Sequence, residues 1–136
     1  MQVHLSNDVT DELRTMWEQA RSRLESHRGG LELYRTIRRE VDDDALLAHV
    51  VECGALWTIS DETGLLGFAL VRDEVVEGVF VDHRRRRQHV ASTLLGALVA
   101  GERAPRDGYA LPGDRGMKSL YESFGWRARL LTMRGE

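Results

Sequence analysis

The sequence predicts an α+β domain: a mixed, mainly antiparallel curved sheet flanked by helices. Three observations carry this. Residues 56–60, 65–71 and 75–81 are apolar, rich in Val, Leu and aromatics, and separated by the short polar turns 61–64 and 72–74, which is how an antiparallel meander is written. On both sides of them apolar residues recur at three-and-four spacing, as on a helix face. The third run leads through a basic loop into Val90, Leu94 and Leu98 at helical spacing, so a strand, a turn and a helix follow one another there.

Taken in order, residues 2–5 can make a short strand. Asn7 or Asp8 can cap a first helix on which Val9, Leu13, Met16, Trp17, Ala20 and Leu24 form one stripe, closed by Gly29-Gly30. Leu33, Tyr34, Ile37 and Val41 allow a second short helix whose outer face carries Arg35, Arg38 and Arg39. Asp42-Asp43-Asp44 breaks it and can cap a third, because negative charge favours a helix start. An acidic lip for a cationic amine is the functional alternative for these aspartates. The meander follows, then the helix from Val90 to the neighbourhood of Gly101, with Pro105 as a stop beyond it. Residues 109–111 form a strand candidate, Asp114 can cap a helix bearing Met117, Leu120, Tyr121 and Phe124, and residues 126–133 alternate as a closing strand.

Composition narrows the function classes. A chain of 136 residues with 42% hydrophobic and 30% charged residues fits one globular domain over its whole length. A net charge of −3 argues against generic nucleic-acid binding, so the arginine run 84–87 is a local feature. Cys53 cannot form an internal disulfide, and no Cys/His spacing marks a metal site. The N-terminus lacks a secretory pattern and no apolar run approaches membrane-spanning length, so the expectation is a cytoplasmic protein without a membrane partner or metal. A turn rich in arginine that opens a helix offers free N–H groups and a positive dipole end, which suit an anionic, phosphate-bearing ligand.

Arg86-Arg87-Gln88-His89-Val90-Ala91 resembles the Q/R-x-x-G-x-G/A loop of the GNAT N-acetyltransferase superfamily, with Val81-Asp82 before it and Leu94-Leu95 after it. His89 stands where the first glycine is usual: its imidazole either crowds a pyrophosphate or donates to one. Asp114-Arg115-Gly116-Met117-Lys118-Ser119-Leu120-Tyr121-Glu122-Ser123-Phe124-Gly125-Trp126 resembles the second signature, N-x-x-A-x-x-L-Y-E-x-x-G-F, with Asp114, Met117 and Trp126 as departures. The resemblance covers roughly residues 56 to 136 well and the first 55 in outline.

It implies a GNAT fold with an acetyl-CoA cleft between two splayed central strands, one ending near Val81 and one near residues 109–111. Backbone groups of Phe80 and Val81 would pair with the pantetheine amides. Arg86, Arg87, Gln88, His89, Val90, Ala91 and Ser92 would hold the pyrophosphate, and Asp114 belongs to the same binding set. Tyr121 falls where relatives place the acid that protonates the leaving thiolate; a helix-face aromatic closing the core is the alternative. Glu77 resembles a base for the acceptor amine, with a plain solvent-facing strand residue as its alternative; His49, Glu74 and Asp73 are weaker candidates. The activity implied is acetyl transfer from acetyl-CoA to a primary amine of a small molecule, peptide or protein. A degenerate domain that binds acyl-CoA without catalysis, as a sensor or interaction module, is the second reading, and polyanion binding through the arginines the third. The short C-terminus, with one closing strand where many relatives have two, leaves room for completion by a neighbouring chain in a homodimer.

Overall fold

The computed structural model describes residues 1–85, 89–133 and 135. Its elements run β1 (Gln2–Leu5), α1 (Asp11–Glu25), α2 (Gly30–Arg38), α3 (Asp43–Glu52), β2 (Leu56–Asp61), β3 (Gly64–Arg72), β4 (Val75–Val81), a 3-10 turn (His83–Arg85), α4 (Val90–Ala100), β5 (Asp107–Gly108) and α5 (Arg115–Ser123). The strands form one sheet in chain order, antiparallel from β1 to β4 and parallel between β4 and β5. This is the mixed, mainly antiparallel sheet that the sequence predicts.

Both faces of the sheet are covered, which explains why β3 reads as an unbroken apolar run and not as an alternation. On one face Leu13, Met16, Trp17, Ala20 and Leu24 of α1, with Ile37 of α2 and Leu46, Leu47 and Val50 of α3, pack on Leu56, Phe68, Leu70 and Phe80. On the other, Val90, Leu94, Leu95 and Leu98 of α4 and Tyr121 of α5 pack on Ile59, Leu66, Ala69, Val76 and Val81. Each fully buried Leu, Ile or Phe contributes about 1.5–3 kcal/mol, so these two clusters supply most of the driving force for folding.

Helix ends follow local chemistry. Thr10 caps α1 through Leu13 N–H (3.1 Å), later than the Asn7 or Asp8 expected, because the Ser6 hydroxyl ties to the Asp8 carbonyl (2.8 Å) and holds the preceding residues in a bend. The helix stops at Ser26, and Gly29, at φ 77°, serves instead as the left-handed entry to α2. Asp42 caps α3 through Ala45 N–H (2.8 Å). Asp43 turns inward, accepting from the Tyr34 hydroxyl (2.5 Å) and from Arg21 (2.8 Å), so two of the three aspartates are structural.

Two late expectations are corrected. The strand placed at 109–111 lies earlier, at Asp107–Gly108, where Val75 and Val76 pair with it. Residues 126–133 form no strand; Leu130 is 90% exposed and Leu131 and Met133 are exposed with it. An isolated strand is unstable without a ladder, and β5 ends after two residues, too short to seat one.

Candidate active site at the fork of the sheet

The site arises from one extra residue in β4. Leu70 of β3 pairs with Gly78 and Val71 pairs with Val76, so Glu77 is the residue left over in a β-bulge. In a regular strand Val76 and Phe80 would share a face; across the bulge Val76 packs with α4 and Phe80 with α1 to α3. Bulges also bend the strand that carries them. Here β4 and β5 run together only to the bond from Tyr109 N–H to the Val76 carbonyl (3.0 Å). Beyond it β4 continues from Glu77 to Val81 with no strand paired on that side among the described residues, and the sheet forks.

Hydrogen-bond parity decides what β4 offers to the fork. Asp82 N–H donates to the Leu66 carbonyl (2.8 Å), so Asp82, and two residues earlier Phe80, direct their backbone groups at β3. The Phe80 carbonyl lies so close to β3 that a Cβ on Gly67 would sit 2.6 Å from its oxygen. The expectation for Phe80 is therefore corrected: its backbone is used within the sheet, and Val79 and Val81 present N–H and C=O to the open edge. Sequence reading missed Val79 because the bulge, which sets the parity, has no residue signature of its own beyond Glu77-Gly78.

Tyr121 stands at the point where the strands part. Its hydroxyl is within reach of the Tyr109 carbonyl (3.1 Å) and the Val76 carbonyl (3.4 Å), and can donate its one proton to either. The residue is 7% exposed. Burial, and then the negative charge of Asp114, push the phenol well above its ordinary pKa. It is thus a protonated donor at neutral pH. Asp114 itself accepts from Met117 N–H (3.0 Å) as the cap of α5.

Glu77 is 4% exposed, on the α1-to-α3 side of β4. One carboxylate oxygen accepts from Arg72 Nε and the other from Arg72 Nη2 (3.1 Å), and the same guanidinium donates to the Ile37 carbonyl in the last turn of α2. The carboxylate is neither solvent-facing nor free, because both oxygens are held by one buried arginine. His49 lies on α3, and Asp73 and Glu74 form the turn between β3 and β4, where Asp73 pairs with Arg39 (3.3 Å) and Glu74 with Arg106 (3.6 Å).

After β4 the chain turns on Asp82. This buried carboxylate accepts from Arg84 N–H (3.1 Å) and Arg84 Nη2 (2.9 Å), and the Arg84 hydrogen bonds hold it below the usual carboxylate range. Arg85 reaches the Thr63 hydroxyl (3.0 Å). These two arginines anchor the turn to the protein. Arg86, Arg87 and Gln88 lie outside the described residues. His89 adopts the left-handed conformation, φ 60° and ψ 25°, and enters α4 with no side-chain cap on the first-turn N–H groups of Val90, Ala91 and Ser92. The Ser92 hydroxyl donates back to the His89 carbonyl (3.1 Å). That φ is one that glycine adopts without steric cost and other residues rarely take.

Among the described residues no group of His, Cys, Asp and Glu could hold a metal ion, and no helix is long and apolar enough to cross a membrane. No protein-family model matches the sequence, and no curated protein sequence matches it. Solved structures do. The aminoglycoside enzyme AAC(6')-Iy, in complex with the bisubstrate analogue CoA-S-monomethyl-acetylneamine, is 18% identical with a TM-score of 0.57 over 99% of this chain and 97% of its own. A ribosomal-protein-alanine N-acetyltransferase from Brucella melitensis biovar Abortus 2308 is 18% identical, with a TM-score of 0.54 over 98% of this chain and all of its own (100%). A protein from Xanthomonas campestris pv. campestris assigned to the GNAT family is 20% identical, with a TM-score of 0.54 over 100% of this chain and 94% of its own. The element order, the mainly antiparallel sheet and these whole-chain superpositions show that this chain has the GNAT N-acetyltransferase fold.

Proposed function

We propose that the protein is an acetyl-CoA-dependent N-acetyltransferase acting on a primary amine of a small molecule, peptide or protein. The observation that carries this reading is the Tyr121 hydroxyl, held as a proton donor where the free edge of β4 begins. The residues at the fork fit the co-substrate. Val79 and Val81 offer the alternating backbone groups that a pantetheine amide pairs with, and the uncapped N–H groups of Val90, Ala91 and Ser92 suit a diphosphate. Proteins of the same fold support an amine acceptor, one bound to a bisubstrate analogue and one named for acetylating the alanine of a ribosomal protein.

When bound, acetyl-CoA supplies a thioester carbonyl for attack by a neutral amine. Tyr121 holds its proton at neutral pH and delivers it from the hydroxyl oxygen as the sulfur departs. Asp114 supports that step indirectly, by capping the helix that carries the phenol. Glu77, locked to Arg72, in this reading fixes the bulge and so the fork, and the amine loses its proton to water. His89 favours a second reading, a domain that binds acyl-CoA without turnover, because its side chain occupies a glycine position in the loop.

The test is release of free thiol from acetyl-CoA in the presence of a panel of primary amines. The expected result is amine-dependent release that falls about 10²-fold or more in Tyr121→Phe, the range of a lost general acid. Acetyl-CoA binding without thiol release for any amine would support the non-catalytic reading instead.

A further inference from the structure

We infer that Gly108 and Trp126 are positioning residues for Tyr121: together they form the slot that fixes its phenol at the fork. The inference rests on the acid role proposed for Tyr121 and adds what holds that group in place. Gly108 is the last β5 residue paired with β4, opposite Val76. A Cβ built on it would lie 2.4 Å from Tyr121 Cζ and 2.5 Å from the hydroxyl oxygen. Real side chains do not approach so closely, so the phenol occupies the volume that any other residue at 108 would fill. Trp126 stacks on the same ring, at 5.2 Å between centroids and 2° between planes.

The backbone brings Trp126 there. Gly125 takes φ 82° at the end of α5, which reverses the chain, and Trp126 N–H then donates to the Tyr121 carbonyl (3.1 Å). Backbone carbonyls at the hydroxyl, a bare glycine against the ring and a stacked indole leave the phenol little room to turn away. The same enclosure strips water from the hydroxyl, which pushes its pKa above the ordinary value.

Two measurements test this together. The absorbance of tyrosinate is followed with pH in the wild type and in Tyr121→Phe, whose difference isolates this phenol; steady-state kinetics are then run with an amine acceptor. In Gly108→Ala and in Trp126→Leu the Tyr121 titration should fall by about one pH unit or more toward the ordinary tyrosine value near 10. Turnover should drop toward the Tyr121→Phe level with KM for acetyl-CoA changed by less than about twofold, and Gly108→Ala combined with Tyr121→Phe should lose no more than Tyr121→Phe alone, as expected for residues acting as one unit. An unmoved titration and full turnover in both single variants would overturn the inference, as would multiplicative losses in the double variant. If Gly108→Ala does not fold, Trp126→Leu decides alone. Should Tyr121→Phe keep its turnover, the acid role fails, while the titration still reports whether the slot exists.

Discussion

His89 has a backbone conformation that costs an L-residue roughly 1–2 kcal/mol. It enters α4 without a cap and with φ 60°. Replacing it by glycine should relieve that cost, offset in part by glycine's larger unfolded-state entropy, for a net gain of up to about 1 kcal/mol in a denaturant titration. Acetyl-CoA should bind His89→Gly at least as tightly as wild type, since the variant removes a side chain from the mouth of the turn and leaves the N–H groups in place; weaker binding would assign the imidazole as a phosphate donor. Asp114 answers to a second substitution. As the α5 cap it should cost about 1 kcal/mol of stability when changed to Ala, and a calorimetric titration should show a modest loss of acetyl-CoA affinity, because the helix that carries Tyr121 frays.

At the scale of the elements, the pair Arg72–Glu77 joins three pieces: the bulge in β4, the end of β3 and the last turn of α2. Removing one partner leaves the other charge buried and should cost about 3–5 kcal/mol, whereas Arg72→Met with Glu77→Leu should recover most of that loss in the midpoint of urea unfolding. The recovered double variant is informative about function. If the pair serves only to hold the bulge, acetyl-CoA binding survives the apolar replacement; if Glu77 is a base, binding survives and turnover does not. The elements themselves were largely legible in the sequence. The meander, the helix at Val90 and the α5 segment follow from apolar spacing and turn residues, because each is set by its own neighbours. What was not legible depends on pairing. The parity of β4, and with it the exchange of Phe80 for Val79 at the open edge, is decided by a bulge seen only against β3. The missing closing strand is decided by the shortness of β5, and the inward turn of Asp43 by Tyr34 and Arg21 on other helices.

For the molecule as a whole, the shifted groups set a pH window. Asp82 sits below its unfolded value near 3.9, so the stability it contributes is complete above that pH and is lost as pH falls through the lower folded value. Tyr121 and Tyr34 sit above theirs near 10, Tyr34 mainly through burial and then its bond to Asp43, so their contribution is complete below pH 10 and is lost as pH rises beyond it. Melting temperature should therefore be flat between about pH 5 and 9 with respect to these groups, and Tyr121→Phe should soften the alkaline decline. The fork links this stability to function, since the structure that buries the phenol is the one that leaves the edge of β4 open. Melting in increasing acetyl-CoA tests that link most directly. At about a hundredfold over the dissociation constant the folded state should gain about 2.7 kcal/mol, a rise of roughly 10 °C for a chain of this size. A melting temperature that stays put at millimolar acetyl-CoA would contradict it.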